Sequence, residues 1–171
     1  MTRYRIVPER SLVVAEARSS LHPIRVETAG LGGWFEADVQ NGRFGPGVTP
    51  RGHVEIETRR LSTGNALYDG ELERRLGVRE YPVVGGDVSD VRELDGDRYR
   101  VKGEMSFHGV TRPVEGEVRI RSATDHRIEV EGELVFDMRD FGLEPPRLLM
   151  LKVHPEVRVR GRVLGEEHNA L

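Results

Sequence analysis

The sequence contains no cysteine, which excludes disulfide bonds, thiolate catalysis and metal sites built on cysteine ligands. It also has no apolar segment near the twenty or so residues that a membrane-spanning helix needs. The first fourteen residues, MTRYRIVPERSLVV, hold no apolar stretch long enough for a signal peptide. We therefore expect no membrane span. The sequence as given predicts a cytoplasmic location, or a periplasmic one if a leader was removed.

Neither sign of charge dominates, because 26 lysines and arginines face 29 acidic residues and the net charge is −3. Arginine-rich strand faces alternate with glutamate-rich ones, so no basic stripe suited to nucleic acid is expected. With 171 residues, 37% hydrophobic and 32% charged, the composition is that of one soluble globular domain. We assign residues 1–165 to this domain and residues 166–171 to a frayed tail.

The segment from Tyr99 to Arg121 alternates apolar and charged residues, the period of strands with one dry and one wet face. It predicts two strands joined by a tight connection at 109–113. Each dry face carries one glycine, and the same five-residue pattern of valine, charged residue, glycine, charged residue and apolar residue recurs downstream. Its four copies are Val101–Met105, Val114–Val118, Val130–Leu134 and Val159–Val163.

The four glycines at the third position of this pattern, the in-phase glycines, need an explanation, because glycine weakens a strand. One interpretation is geometric: glycine lets a sheet bend enough to close into a barrel. The other is spatial: a wall without side chains leaves room inside for a ligand, although small barrels often fill their own interiors. The spacing alone does not choose between them.

The rest of the chain predicts many short strands and one helix. Residues 62–65 offer N-cap candidates, Tyr68, Leu72 and Leu76 form an apolar stripe, and Gly77 ends the helix. Residues 30–33 are predicted as a turn and residues 41–52 as a loop. The absence of a βαβ rhythm favours an all-β fold with antiparallel neighbours.

No catalytic signature is present. The six histidines are scattered and show no metal-site spacing, and no nucleophile elbow or phosphate-binding loop occurs. We therefore expect neither an enzyme nor a metal site. His108 is interpreted as bonding the backbone of a turn, with a ligand or catalytic role as the alternative. Arg139 and Asp140 are expected to pair at the surface, or else to meet a polar head group.

Four ordered segments carry a resemblance to a known family, the YceI-like, polyisoprenoid-binding proteins. They are Tyr4–Pro8 with Ser11, Leu61–Asn65 with Asp69, Leu72 and Tyr81-Pro82, His108–Val114 (HGVTRPV), and Arg139–Leu143. The resemblance implies an antiparallel, lipocalin-like β-barrel of about eight strands around an elongated apolar pocket. It also implies a long isoprenoid or other amphiphilic ligand, and family members are often periplasmic and dimeric. The small residues Val13, Ala15 and Ala17 depart from the family pattern, as does Leu76-Gly77-Val78.

On this basis the sequence predicts a non-enzymatic carrier with an apolar chain inside the barrel and no cofactor other than a bound lipid. Burial of each CH₂ contributes about 0.8 kcal/mol, so directional contacts are not needed. The helix stripe and the 141–151 loop are expected to edge the entrance. The predicted ligand-binding residues are Val13, Ala15, Ala17, Phe35, Ile56, Leu72, Leu76, Val101, Met105, Phe107, Val118, Leu134, Phe136 and Phe141.

Two other interpretations stay open. In the first, the interior is filled by side chains and the protein is a structural or interaction module. The apolar run Leu148–Leu151 would then form a homodimer or partner surface. In the second, the barrel acts on a lipid as a cyclase or isomerase, an idea that rests on fold analogy alone.

Overall fold

The computed structural model of the chain describes residues 1–124 and 126–168 and consists mostly of β-strands. One α-helix, α1, spans Ala66–Leu76, and short 3₁₀ turns occur at Pro8–Arg10, Thr58–Arg60 and Met138–Phe141. Strands β1 to β13 are, in order, Thr2–Ile6, Leu12–Ser19, Ile24–Thr28, Leu31–Ala37, Val39–Gln40, Arg43–Phe44, Arg51–Glu57, Val83–Asp95, Arg98–Phe107, Val110–Ala123, Arg127–Asp137, Arg147–Leu148 and Leu151–Glu167.

Eight antiparallel strands close into the predicted barrel. The order is β1, β4, β7, β8, β9, β10, β11 and β13, and β13 pairs back onto β1. The first strand is composite, because β1 and β2 lie end to end along β13, with Tyr4 opposite Glu167 and Ala17 opposite Val157. The 3₁₀ turn that begins at Pro8 separates them. Strands β4 and β3 continue along β1 and β2 in the same way.

The helix forms where the sequence predicts it. The side chain of Asn65 accepts hydrogen bonds from the backbone N–H groups of Leu67 and Tyr68, which satisfies two donors that an isolated helix start leaves free. Gly77 adopts a left-handed conformation with φ of 61° and ends the helix. Asp69 lies in the first turn and arginines lie in the last, as the helix dipole favours.

Side chains pack tightly at the two ends of the barrel. At the first, the helix end, α1, the 3₁₀ turn Met138–Phe141 and β12 cover the strands. Leu76, Met138, Leu143, Leu148 and Leu151 are buried in the cluster there. At the opposite hairpin end, the β5–β6 hairpin contributes side chains that pack against a cluster of four buried residues. These are Tyr4, Tyr99, Ile120 and Ile128.

Several strand boundaries differ from the sequence prediction. The turn expected at residues 30–33 is wrong, because Gly32 and Gly33 lie inside β4. At Gly33, with φ of 126°, a Cβ atom would overlap the backbone of His53, so this glycine allows β7 to approach closely. The loop expected at 41–52 contains β6 and the start of β7.

The connection between β9 and β10 and the last strand also differ. The connection is limited to His108 and Gly109, because β10 already begins at Val110. Strand β13 continues to Glu167, so the predicted boundary after residue 165 falls inside it. Asp125, which the sequence placed in a turn, and residues 169–171 of the predicted tail lie outside the described residues.

The four in-phase glycines separate into two kinds. A Cβ atom at Gly116 would lie 2.5 Å from the carbonyl oxygen of Glu133, and one at Gly103 would overlap that of Asp87. At Gly132 and Gly161 the nearest atoms would be 3.5 and 3.7 Å away, an ordinary contact. Gly103 and Gly116 therefore allow neighbouring strands to approach, whereas Gly132 and Gly161 leave space. A large residue at Gly116 is not compatible with the fold, so only the latter pair can probe the interior.

Replacing Gly103 or Gly116 by alanine is expected to lower the free energy of unfolding by about 1–3 kcal/mol, through overlap with a neighbouring backbone. Gly132→Ala and Gly161→Ala are matched controls and are expected to stay within about 1 kcal/mol of the parent. Urea unfolding followed by circular dichroism measures the difference. An equal loss of unfolding free energy at all four positions would contradict the division into close-approach glycines and glycines that leave space.

Replacing Asn65 by alanine is expected to destabilise the protein by about 1 kcal/mol, because two backbone donors lose their acceptor. Asn65→Asp keeps an acceptor at the same position and serves as the control. Thermal and urea unfolding of both variants provide the measurement. If the alanine variant matched the aspartate variant, the side-chain cap would not stabilise α1.

Candidate functional site

The candidate site is the inner face in the middle of the barrel. Directly paired residues of antiparallel strands share a face of the sheet, so the register defines rows of inward side chains. One row runs through Val101, Gly116, Leu134, Val159 and Ala15. The next row runs through Tyr99, Val118, Gly132, Gly161 and Val13.

These two rows, the middle rows, are apolar and short of side-chain volume, since three of their residues are glycine and one is alanine. Val101, Val118 and Leu134 are only half-buried and belong to none of the three packed apolar clusters. An inner-wall residue remains accessible only where nothing packs against it. The middle of the wall is therefore less filled than either end.

The structure places the predicted lining residues of the strands on this inner face, in two settings. Val101, Val118 and Leu134 lie in the less filled middle, and Ala15 lies at its border, where it packs half-buried against the helix-end cluster. The other strand residues contribute to packed or buried regions, and these are Val13, Ala17, Phe35, Ile56, Met105, Phe107 and Phe136.

The residues expected to edge an entrance instead close the helix end. Phe141 is 1% exposed and Leu76 is 5% exposed, and Leu72 packs half-buried against the same cluster. The Phe141 ring lies 5.7 Å from that of Phe107 and 5.5 Å from that of Phe136, centroid to centroid. This aromatic group seals the helix end, because the 3₁₀ turn carries Phe141 inward.

A hollow of about 920 Å³ lies at the hairpin end instead. Residues 40–50 form one side of it, and Val91, Glu93 and Tyr99 form the other. The Tyr99 hydroxyl accepts a hydrogen bond from the backbone N–H of Phe44, at 3.1 Å. Phe44 also packs on the buried Tyr99 ring, with centroids 4.6 Å apart, so the β5–β6 hairpin covers the end of the middle rows beside this hollow.

The outer wall is a dense array of paired charges. Across β11 and β13, Arg162 donates to Glu131 at 2.9 Å and Arg158 donates to Glu133 at 2.7 Å. The hydrogen bond from Arg162 is the main cause that lowers the pKa of the Glu131 carboxyl below its usual range. A shallow outer depression of about 550 Å³ lies over the same strands. Its lining combines these paired charges with the apolar Leu12, Val14 and Val118 and with Gly132 and Gly161.

The HGVTRPV segment has a structural role in this fold. His108 and Gly109 have positive φ angles of 54° and 75° and form the two-residue turn between β9 and β10. The His108 ring packs on Tyr81, with centroids 4.7 Å apart, so the expected hydrogen bond to the turn backbone is replaced by a ring contact. The side-chain oxygens of Ser106 and Thr111 are 2.7 Å apart beside the turn. The HGVTRPV segment and the Tyr81-Pro82 segment, which both carry the family resemblance, therefore contact each other in the fold.

Arg112 and Arg139 both act at the helix end. Arg112 lies opposite the buried Met105 and donates from Nε to the carbonyl oxygen of Asp140, at 3.2 Å. Arg139 pairs with Asp137 at 2.7 Å and lowers the pKa of that carboxyl. The expected pair between Arg139 and Asp140 is wrong, because Asp137 caps the start of the 3₁₀ turn and also accepts the backbone N–H of Arg139.

One titratable cluster was not found from the sequence. His53 on β7 lies between two carboxylates, with Nδ1 2.7 Å from Asp87 and Nε2 2.9 Å from Glu55. The hydrogen bonds to Glu55 and then to Asp87 raise the pKa of His53 above its usual value. Asp87 is 34 residues away and reaches His53 only through the register of β7 and β8, so no local motif marks the cluster.

Comparison with known proteins identifies the family. The family model described as the YceI-like domain matches residues 4–163. The chain belongs to the YceI-like family. A search of curated protein sequences gave no significant match. Among the described residues of this YceI-like chain, no helix is long and apolar enough to cross a membrane, and no three histidine or carboxylate side chains converge as metal ligands would.

Solved structures share this YceI-like fold at low identity. BcnA of Burkholderia cenocepacia is 13% identical with a TM-score of 0.77, covering 93% of this chain and 98% of that one. A polyisoprenoid-binding domain from Saccharophagus degradans, implicated in plant cell wall breakdown, is 15% identical with a TM-score of 0.74, covering 98% and 100%. The Campylobacter jejuni YceI protein is 14% identical with a TM-score of 0.67, covering 85% and 86%. These likenesses establish the fold.

The His53 cluster predicts a pH dependence of stability. Because the folded-state pKa is raised, the ion pairs stabilise the protein fully below pH about 6.5 and the stabilisation is lost as the pH rises through the folded pKa. His53→Gln is therefore expected to cost more stability near pH 6 than near pH 8.5. The side chain is 32% exposed, so the difference should stay below about 1 kcal/mol.

The measurement is urea unfolding of parent and variant across this pH range. His154→Gln is the matched control, because His154 is exposed on β13 and pairs with no carboxylate within residues 1–124 and 126–168. A pH-independent effect of His53→Gln would show that the two carboxylates do not stabilise the protonated ring.

Proposed function

We propose that this chain is a non-enzymatic carrier or store for one long apolar or amphiphilic molecule of isoprenoid or fatty-acyl type, held in the middle of the barrel. The observation that carries the proposal is the uneven filling of the inner wall. Both ends are packed, whereas the middle rows are apolar and interrupted by glycine, and Val101, Val118 and Leu134 in them are only half-buried. A flexible hydrocarbon chain fits such a wall, because its binding depends on burial rather than on directional contacts.

The chemistry of the middle rows supports a carrier over a catalyst. Their ten residues include no histidine, carboxylate or lysine, which are the groups that acid–base and nucleophilic catalysis most often use. The titratable cluster at His53 faces away from the interior. His53 pairs with Trp34, whereas the neighbouring β7 residues Val54 and Ile56 pack inward. Membership of the YceI-like family and the polyisoprenoid-binding description of the Saccharophagus degradans domain favour the same class of ligand.

The affinity can come from chain length alone. At about 0.8 kcal/mol for each buried CH₂, a ligand that buries ten methylene groups gains roughly 8 kcal/mol before ordering costs are subtracted. We infer that a ligand enters at the hairpin end by displacement of the β5–β6 hairpin, whose Val39 and Phe44 cover the barrel there and are only half-buried, since Phe141 and Leu76 seal the other end. We infer that a polar head group would remain near the hairpin end, where Arg43 and Glu93 lie 3.9 Å apart.

Native mass spectrometry of the purified protein, followed by organic extraction, tests the proposal. A long-chain lipid at one copy per chain would support it and identify the ligand. An empty protein that stays empty after incubation with prenyl and acyl lipids would overturn it. That result would favour the alternative of a side-chain-filled interaction module.

Filling the middle of the wall should block uptake. Gly132→Leu and Gly161→Leu place side chains where the structure has only ordinary contacts with Val118 and Val13, so we expect at least a tenfold loss of lipid occupancy with the barrel still folded. Gly70→Leu is the matched control, because Gly70 lies on the exposed side of α1 with nothing near its Cβ position. Occupancy is read by native mass spectrometry and folding by circular dichroism. Full occupancy in both leucine variants of the inner wall, with the barrel folded, would exclude a ligand at these rows.

A further inference from the structure

An exposed apolar tip lies at the helix end, on two adjacent turns. Leu148 and Leu151 are both buried and pair across the β12–β13 hairpin, so the expected surface made of the whole run 148–151 is wrong. Only the two turn residues between them project, and Leu149 is 54% and Met150 91% exposed. We call Leu21, Leu149 and Met150 the apolar tip.

Leu21 belongs to the neighbouring turn between β2 and β3 and is 80% exposed. Two hydrogen bonds fix this turn against the start of β13. The backbone N–H of Ser20 donates to the carbonyl oxygen of Lys152 at 3.0 Å, and the N–H of Lys152 donates to Oγ of Ser20 at 3.2 Å. The two turns are therefore held side by side, and their apolar residues form one feature.

The charges beside the tip are arranged differently from those on the barrel wall. Arg147 and Lys152 lie directly opposite each other across the hairpin, a like-charge arrangement that destabilises an isolated sheet. On the wall, opposite charges face each other in places, as for Glu131 with Arg162. Where like charges face each other there, as for Arg98 with Arg119, each arginine also pairs with a carboxylate. Within residues 1–124 and 126–168, neither Arg147 nor Lys152 has a carboxylate within ion-pair distance, and Arg18 on β2 has none either.

The backbone of the tip is strained as well. Leu149 has a φ of 58°, a left-handed conformation that is uncommon for residues other than glycine, asparagine and aspartate. Glycine would relieve the strain at this turn, yet a large apolar residue occupies it and points into solvent. Strained positions of this kind cluster at functional sites, which makes the tip a candidate for one.

We propose that the apolar tip docks on a membrane surface that contains anionic lipids. Leu21, Leu149 and Met150 would enter the boundary between head groups and acyl chains, and Arg18, Arg147 and Lys152 would contact lipid phosphates. An anionic surface supplies the partners that these cations lack within the described residues and removes the like-charge repulsion between Arg147 and Lys152. Burial of two or three large apolar side chains adds the affinity that charge alone does not give. The proposal does not depend on a ligand inside the barrel.

Vesicle co-sedimentation of the full chain tests the docking surface. We expect binding to vesicles of equimolar phosphatidylcholine and phosphatidylglycerol, and little binding to phosphatidylcholine alone. Met150→Ser together with Leu149→Ser should weaken binding at least tenfold, and Arg147→Gln and Lys152→Gln should each weaken it about fivefold. Circular dichroism checks that each variant is folded.

Two matched controls test whether any exposed apolar side chain or any surface cation contributes to vesicle binding as the tip does. Leu12 is 43% exposed on the outer wall, so Leu12→Ser removes an exposed leucine elsewhere. Arg160 pairs with Glu133, so Arg160→Gln removes a cation of the paired wall. Neither control should reduce vesicle binding by more than about twofold.

Three outcomes would overturn the proposal. They are no binding to the anionic vesicles, equal binding of the serine variants and the parent, and a concentration-dependent mass that the serine variants abolish without vesicle binding. The last outcome would assign the tip to a second copy of the chain. Lipid content by native mass spectrometry, measured on the same variants, keeps this result separate from the carrier proposal, since the tip lies outside the middle rows.

Discussion

Closure of the sheet along β13 is the constraint on which the rest of the structure depends. This strand of 17 residues pairs with β11 and β12 along one edge and with β2 and β1 in succession along the other. Its pairing with β1 removes the two free edges that an open sheet would expose to aggregation. The register it imposes also decides which side chains face inward, because a shift by one residue would turn every charged position into the interior. The paired charges of the outer wall and the apolar rows of the inner wall are two results of this one alignment.

Closure requires close contact between strands at some points and leaves space at others. Gly103 and Gly116 occupy positions where a neighbouring carbonyl oxygen fills the space of a Cβ atom. Gly132 and Gly161 face each other directly across β11 and β13 with no such contact. In two copies of the repeated sequence pattern the glycine thus allows a neighbouring strand to approach, and in the other two it leaves space inside the barrel. The interior is mostly apolar, and its middle rows carry less side-chain volume than its ends.

Local signals in the sequence predict the elements that depend on local interactions. Alternation gives the strands and their faces, and Asn65 and Gly77 give the helix ends, since a cap and a left-handed stop act within a few residues. Features set by pairing between distant strands are not encoded in this way. The two kinds of glycine, the contact of His53 with Asp87 and the burial of Leu148 all depend on register. Alternation along the strands predicts which residues share the inner face, whereas the less filled part of that face emerges only when the rows are aligned.

The composite first strand has a consequence for how the chain folds. Residues near the start, at Tyr4, pair with residues near the end of the described chain, at Glu167, so the contacts that complete the barrel join the most distant parts of the sequence. Such a high contact order slows folding, because the entropy of closing a long loop is lost before the contacts form. During synthesis β1 and β2 must wait for β13, and until it emerges they present unpaired edges and apolar faces. The short turns at His108–Gly109 and within β12–β13 can form early, which makes the later hairpins the natural template for closure.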